Sequence, residues 1–175
     1  MELTEVDPEV ASLAFAGDLD RVWASGRPQK LGWMRTRIDD LTEIVQMPGR
    51  APDGSVDPYC LRLHAAHYGP HPVKVNFVEP QTWTLARDGS RWFPRLENLP
   101  PWFGLHDVYG YPDGTQEQLV CFSFNLDYYT SNHSPQPTEI WQQGRHTVAA
   151  TLYRLHDILG PAHYRGPAAP LAEAA

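Results

Sequence analysis

One cysteine in this sequence has neighbours along the chain that assist thiol chemistry. His106 and Asp107 precede Cys121, and Asn132 and His133 follow it in a polar segment. A thiolate attacks a carbonyl carbon and can leave again, so a cysteine can carry an acyl group between two partners. Asp107 or His133 would take a proton from an incoming amine, and Asn132 or His133 would donate to an oxyanion. These residue types make Cys121 a candidate nucleophile for acyl transfer.

A structural role for the same residues is also consistent with the sequence. Cys121 lies between Val120 and Phe122, and free cysteines are among the most deeply buried residues of proteins. The polar segment from Asn125 to Thr138 is typical of a solvated loop, although Asn125, like the two candidates after it, would be able to reach back over the thiol. Both interpretations remain open from the sequence. Cys60 lies within an alternating strand pattern and is predicted to be a core residue.

Eight histidines raise the question of a bound metal. Zinc sites in proteins have recognisable spacings, such as His-Glu-x-x-His or paired Cys-x-x-Cys motifs. Neither spacing occurs in this sequence. Convergence of His106, Cys121 and His133 on zinc is the one arrangement left open, and we expect neither a metal nor a cofactor.

Composition limits the classes of protein to consider. The chain has 175 residues, a net charge of −7 and 42% hydrophobic residues, which predicts one domain, residues 1–166, followed by a flexible Ala/Pro-rich tail, residues 167–175. No basic run points to nucleic acid, and no apolar run is long enough to cross a membrane. The acidic N-terminus is unlike a signal peptide, and two cysteines make no disulfide framework. We therefore expect a cytoplasmic protein with free thiols.

Hydrophobic periodicity predicts an α+β domain. Asp7-Pro8-Glu9 is typical of a helix start, and Ser25-Gly26-Arg27-Pro28 of its end. Four strands of a meander are then expected, in residues 31–38, 41–47, 59–64 and 73–77. An irregular segment, 81–111, and an extended segment, 119–124, precede a helix at 147–159 that would pack on the sheet.

An aromatic-rich stretch within the irregular segment has two interpretations. Trp83, Trp92 and Trp102 lie there with Phe93 and Phe103. Tryptophan often anchors protein interfaces, which would make the stretch a docking surface. Alternatively, these rings form a satellite core beneath a long loop.

The order of these elements resembles that of ubiquitin-conjugating enzymes. Two strands flank a Tyr-x-x-x-Pro crossing, Tyr68 to Pro72, and end at Pro80, as in the central sheet of that family. Leu105-His106-Asp107 stands where the family has a His-Pro-Asn tripeptide, Pro112-Asp113-Gly114 is similar to the turn that follows, and Leu119-Val120-Cys121-Phe122 is similar to the segment of the nucleophilic cysteine. Trp141 precedes the last helix, and Tyr164-Arg165-Gly166-Pro167 is similar to bacterial relatives.

The resemblance implies a UBC-like fold and a function. Cys121 would accept a ubiquitin-like protein as a thioester from an adenylating activating enzyme and pass it to an amine on a target protein. The conjugating step needs no small cofactor, because the activating enzyme uses the ATP. Some bacterial relatives of this kind serve antiviral defence.

One departure from the family pattern keeps other functions open. Asp107 replaces the tripeptide Asn, and an ionised carboxylate cannot donate to an oxyanion. Asn132 or His133 would have to replace that donor. A second hypothesis is therefore a noncatalytic adaptor that has the same fold and binds a ubiquitin-like or activating protein. A third is a metal- or thiol-dependent hydrolase that uses His106, Cys121 and His133.

Overall fold

The computed structural model describes residues 3–131, 133 and 139–169. The chain begins with helix α1 (Pro8–Ala24), which starts as the sequence predicts. The Asp7 side chain accepts hydrogen bonds from the backbone N–H groups of Glu9 and Val10, and Pro8 occupies the first turn, where its missing N–H costs nothing. One face of the helix is buried against the core through Ala11, Phe15, Leu19 and Val22.

The predicted start of the first strand, at Leu31, is wrong. Residues Arg27–Leu31 form a short helix, α2, and strand β1 covers only Met34–Arg37. Gly26 and Gly32 bracket α2 with φ angles of 68° and 78°, a left-handed conformation that glycine adopts without steric cost. Pro28 favours the first turn of this helix, so local backbone chemistry overrides the strand pattern here.

The predicted four-stranded antiparallel meander is confirmed. Strands β2 (Thr42–Arg50), β3 (Val56–His64) and β4 (Lys74–Val78) follow β1 in the order β1-β2-β3-β4. Val45, Leu61 and Phe77 occupy paired positions on three neighbouring strands, and all three are fully buried. This row of apolar side chains carries the main core between the sheet and the helices.

The opposite face of the sheet is covered as well. Ile44, Cys60 and Val78 form a small buried cluster there, against which Trp83 and Leu85 pack. Cys60 is therefore a core residue, as predicted, and Trp83 covers apolar surface on the sheet. Trp83 reaches this position from a loop in which its own backbone has a φ of 56°.

The expectation of an irregular segment between residues 81 and 111 is wrong in part, because the segment contains two strands. Strand β5 covers Pro94–Leu96, and β6 covers Gly104–Gly110. β6 pairs with β7 (Gln116–Cys121) in an antiparallel hairpin that has an irregular register between His106 and Tyr109. Gly114, with φ 87°, closes the hairpin turn. The side chains of β6 are partly or largely exposed, so the strand lacks the buried alternation that reveals strands in sequences.

Two buried amide side chains join this hairpin to the main sheet. The Gln118 amide accepts from the Phe77 N–H at 2.7 Å and donates to the Ala86 and Phe77 carbonyls at 2.8 Å and 3.1 Å. Asn125 accepts from the Val75 N–H at 2.9 Å and donates to the Val120 carbonyl at 2.6 Å. The outer edge of β4 is thereby paired with these side chains in addition to backbone hydrogen bonds, among them Ala86 N–H to the Phe77 carbonyl at 2.9 Å.

The remaining elements close the domain. Short helix α3 (Asp127–Thr130) follows β7, and α4 (Val148–Ile158) confirms the predicted last helix. Val148, Leu152 and Leu155 of α4 are fully buried. Strand β8 (Tyr164–Pro167) pairs with β5, and the Ala168 N–H donates to the Phe93 carbonyl at 2.8 Å. The first residues assigned to the tail are thus hydrogen-bonded, while 170–175 lie outside the described residues.

Candidate active site

Cys121 is the last residue of β7 and lies directly opposite Gly104 of β6. Its residue surface is 8% exposed, so the thiol is nearly buried but not sealed. Burial raises the pKa of the Cys121 thiol to about 11, because a low-dielectric surrounding disfavours the thiolate. At neutral pH the sulfur therefore keeps its proton and needs a base to become a nucleophile.

His133 is the imidazole that the structure brings to this sulfur. Its Nε2 lies 3.3 Å from Cys121 Sγ, and its Nδ1 lies 2.7 Å from the hydroxyl of Ser131. Burial, and to a smaller extent the nearby His106, lower the pKa of His133 below its usual 6.5. A neutral imidazole at pH 7 has one nitrogen free to accept a proton.

Two tyrosine rings hold the imidazole of His133. Tyr128 of α3 stacks on it, with ring centroids 5.1 Å apart and planes 24° apart. Tyr109 of β6 lies 5.9 Å away at 33°. Burial raises the pKa of the Tyr128 phenol, and proximity to Cys121 adds to the shift. These contacts restrict the orientation of the His133 ring. A base needs a fixed orientation if it is to accept a proton from one particular atom.

His106 is an exposed residue at the rim of this site. On β6 it lies two residues from Gly104, and alternation places both on the face that Cys121 shares. Its ring contacts Tyr109, with centroids 5.7 Å apart. A side chain on Gly104 would approach His106 Nε2 to 3.4 Å and Cys121 Cβ to 3.5 Å. The missing side chain at residue 104 therefore leaves space beside the sulfur.

Asp107 is not brought to the thiol. Its backbone carbonyl accepts a 2.6 Å hydrogen bond from Arg87, and its carboxylate lies 3.8 Å from the same guanidinium. It lines a separate cleft of about 310 Å³ together with Leu105 and Phe93. The alternation of β6 turns Asp107 away from His106, so the carboxylate that was expected to act on an amine is directed to the other face.

The other two candidates of the polar segment have different outcomes. Asn132 lies outside the described residues. Asn125 is fully buried, and its amide is engaged by the backbone of Val75 and Val120. It therefore braces the fold and does not reach over the thiol.

Sequence reasoning missed the residues that support His133. Tyr109, Tyr128 and Ser131 were assigned to irregular or solvated segments, because their roles depend on how α3 turns back over β7. The one available signal was the spacing Ser131-x-His133 next to two consecutive tyrosines, Tyr128 and Tyr129. Nothing in the sequence indicates that Gly104 lies beside Cys121, because this depends on the pairing of β6 with β7.

A larger cleft of about 830 Å³ lies beside α3 and does not include Cys121. Lys74 Nζ is 3.1 Å from Glu117 and 3.4 Å from Asp127 within it. Burial raises the pKa of the Asp127 carboxyl, and the Lys74 ammonium opposes that shift.

Across the described parts of the chain, no three His, Cys, Asp or Glu side chains are grouped closely enough to hold a metal ion. No described helix is both long and apolar enough to cross a membrane.

Fold and site together define an α+β protein whose four-stranded antiparallel sheet carries a thiol–imidazole pair at the end of an attached hairpin. No protein-family model matches this chain, and no curated protein matches it. What the pair does must therefore be argued from its geometry.

Proposed function

We propose that this chain is a ubiquitin-conjugating-like enzyme with a UBC-like fold, of the bacterial branch of that family. The observation that carries the proposal is the pairing of Cys121 Sγ with His133 Nε2 at 3.3 Å. The pair occurs at the cysteine for which the sequence resemblance implies a nucleophile. A buried cysteine with a purely structural role has no need of an imidazole held against its sulfur.

The reaction is acyl transfer in two steps. In the first, the Cys121 sulfur attacks the thioester that joins a ubiquitin-like protein to its activating enzyme. The new S–C bond forms, the thiol proton passes to His133 Nε2, and His133 becomes neutral again by giving that proton to the departing thiolate of the activating enzyme. In the second, an amine of the target attacks the Cys121 thioester, the N–C bond forms, the amine proton passes to His133 Nε2, and the Cys121 thiolate leaves and takes that proton. No cofactor is needed, since the carboxyl group arrives already activated.

The raised pKa of Cys121 suits a carrier. A thiol whose pKa is about 11 is protonated at neutral pH, so it reacts only where a base takes its proton. A thiolate of high pKa is also a reluctant leaving group, which lengthens the life of the thioester before an amine arrives. The neutral imidazole of His133 supplies the base, and the same nitrogen is free to take a proton from the incoming amine.

The proposed partners follow from this chemistry. They are a ubiquitin-like protein, an adenylating activating enzyme and a target protein, in a reducing cytoplasm that keeps Cys60 and Cys121 as thiols. Antiviral defence is the biological setting that the bacterial resemblance suggests. Asp107 takes no part in this scheme, because Arg87 holds it on the other face of β6.

A second candidate function is supported by the small exposure of the thiol. Only 8% of the Cys121 residue surface is accessible, and a protonated, nearly buried sulfur is also what a noncatalytic adaptor would have. Such an adaptor would bind the ubiquitin-like or activating protein without forming a covalent bond to it.

Incubation with the activating enzyme, ATP and the ubiquitin-like protein distinguishes the two candidates. Conjugation predicts an adduct that a thiol reductant removes and that is lost in Cys121→Ala. Cys60→Ala is the matched control, because it removes the other free thiol, which lies in the buried cluster with Ile44 and Val78. An adaptor predicts binding without an adduct, unchanged by Cys121→Ala. An adduct that persists in Cys121→Ala would reject the nucleophile assignment.

A further inference from the structure

Three successive polar contacts connect the sulfur of Cys121 to the backbone. Cys121 Sγ lies 3.3 Å from His133 Nε2, and His133 Nδ1 lies 2.7 Å from Ser131 Oγ. The same Ser131 oxygen lies 3.0 Å from the backbone carbonyl of Tyr128. Ser131 is itself buried, with 8% of its surface exposed.

The positions of the protons in these contacts follow from what each group is able to donate. A carbonyl oxygen only accepts, so the contact with Tyr128 is a hydrogen bond only if the Ser131 hydroxyl donates its single proton there. The Ser131 oxygen is then only an acceptor toward His133, so Nδ1 must carry the hydrogen. A neutral imidazole has one N–H, so Nε2 faces the Cys121 thiol with a free lone pair.

The reversed arrangement satisfies fewer of these groups. If Ser131 donated to Nδ1, no proton would lie between its oxygen and the Tyr128 carbonyl. Nε2 would then carry the hydrogen and point it at sulfur, which is a weak acceptor. That tautomer would have no lone pair for the thiol proton, so His133 would be unable to act as a base.

We propose that Ser131 is the positioning residue of this site, and that its hydroxyl selects the His133 tautomer whose Nε2 accepts the Cys121 proton. The inference rests on the proposed role of Cys121 as a nucleophile and adds to it how the base is prepared. Tyr128 supports the arrangement twice, because its carbonyl takes the Ser131 proton and its ring stacks on the imidazole.

This arrangement also has a role as the sulfur attacks. When the thiol proton moves to Nε2 and the S–C bond forms, His133 becomes an imidazolium with hydrogens on both nitrogens. Its Nδ1–H keeps the Ser131 oxygen as acceptor, so no hydrogen bond has to rearrange during the step. Preorganisation of this kind spares the reaction the cost of reorienting dipoles.

Two measurements on the full chain test the role of Ser131 without any ubiquitin-like protein. The first is the nitrogen NMR spectrum of labelled protein, in which protonated and unprotonated ring nitrogens have distinct shifts. We expect hydrogen on Nδ1 of His133 in the wild type and in Ser131→Thr, and a shift of population to hydrogen on Nε2 in Ser131→Ala. An unchanged tautomer in Ser131→Ala overturns the inference.

The second measurement is the alkylation rate of Cys121 by iodoacetamide, in a Cys60→Ala background. Ser131→Ala should slow alkylation at neutral pH about fivefold to tenfold, the equivalent of one hydrogen bond, and Ser131→Thr should restore it. In a His133→Gln background, Ser131→Ala should cause no further loss, because Ser131 acts through His133. An equal loss in both backgrounds would mean that Ser131 only supports the fold.

These outcomes separate the inference from the proposed function. Neither measurement involves thioester formation, so an adaptor that never carries a modifier would still show the tautomer and the alkylation pattern if Ser131 acts as proposed. Conversely, a chain that forms the thioester with an unchanged His133 tautomer in Ser131→Ala would keep its proposed function and lose this positioning role.

Discussion

Arg87 donates a 2.6 Å hydrogen bond to the backbone carbonyl of Asp107 and lies 3.8 Å from the carboxylate of the same residue. Asp107 lines the cleft of about 310 Å³, while Gly104 lies opposite Cys121 and His106 is exposed at the rim of the site. Two consecutive residues, His106 and Asp107, thus serve different surfaces. A sequence comparison would treat the two residues as one catalytic motif. The strand, however, directs their side chains to opposite faces.

The first prediction concerns this separation. Asp107→Ala should leave the rate of Cys121 thioester formation within about twofold of the wild type, since the carboxylate does not reach the sulfur. Single-turnover transfer from the charged activating enzyme measures the rate. Asp88→Ala, at an exposed residue lining the same cleft, is the matched control. A loss of about tenfold or more in Asp107→Ala alone would show that Asp107 acts in the transfer step.

The second prediction concerns the pH dependence of the base. Burial lowers the pKa of His133 below 6.5, so the imidazole is neutral at pH 7 and becomes protonated only as the pH falls through that lowered value. Transfer to Cys121 should therefore be independent of this group above about pH 6.5 and decline below it.

Replacing His133 should remove that decline together with most of the rate. His133→Gln should slow transfer at neutral pH by about 100-fold, the usual contribution of a general base, and its remaining rate should show no acidic decline from this residue. His106→Gln, at the exposed rim, should keep the neutral-pH rate and the acidic decline but move that decline to slightly higher pH, because His106 contributes to lowering the pKa of His133. A His133→Gln variant that retains the acidic decline would assign the titration to another group.

The sequence predicts the scaffold of this site better than it predicts the site. Alternating apolar residues such as Leu61 and Leu63 define the sheet because they form the face that packs on the main core, and the Asp7 cap and the apolar stripe of α4 are local signals. Each of these depends on residues close together in the chain. They were sufficient for the α+β class and the order of the sheet.

The arrangement around Cys121 depends on contacts between distant segments. β6 forms because β7 pairs with it, and its side chains are largely exposed, so periodicity gives little sign of it. His133 meets the sulfur, and Ser131 meets His133, after the chain has turned through α3 beyond β7. The sequence of a polar segment does not predict which of its side chains will point inward once the segment has folded.

The third prediction tests access to the sulfur. An alanine at Gly104 would place its Cβ 3.5 Å from Cys121 Cβ and 3.4 Å from His106 Nε2, which is close contact without a severe clash. Gly104→Ala should therefore fold normally and slow thioester formation, about fivefold if the added methyl narrows the approach of the carboxyl group. Thermal unfolding and single-turnover transfer separate the two effects.

Gly110→Ala is the matched control for this change. Gly110 lies at the far end of the same strand, and a side chain there would meet no atom within 4 Å. Both variants lose a glycine from β6, so any general effect of stiffening the strand is common to them. Equal transfer rates in the two variants would show that the space beside Cys121 is not the route of the substrate.

The last prediction concerns the amide that fixes β7 to the sheet. Gln118→Leu nearly preserves the buried volume but removes the acceptor for the Phe77 N–H and the donor for the Ala86 carbonyl. Leaving these two buried backbone groups unpaired should lower the free energy of unfolding by about 3 kcal/mol in urea titrations. Gln116→Leu, at an exposed residue of the same strand, should change it by less than about 0.5 kcal/mol.

The same variant connects the fold to the chemistry. Cys121 ends the strand that Gln118 holds, so loosening β7 should expose the thiol and relax the burial that raises its pKa to about 11. Cys121 alkylation in a Cys60→Ala background should then become faster in Gln118→Leu and remain unchanged in Gln116→Leu. If Gln118→Leu unfolds as the wild type does and alkylates at the same rate, the backbone contacts of β7 alone are enough to keep the sulfur buried against His133.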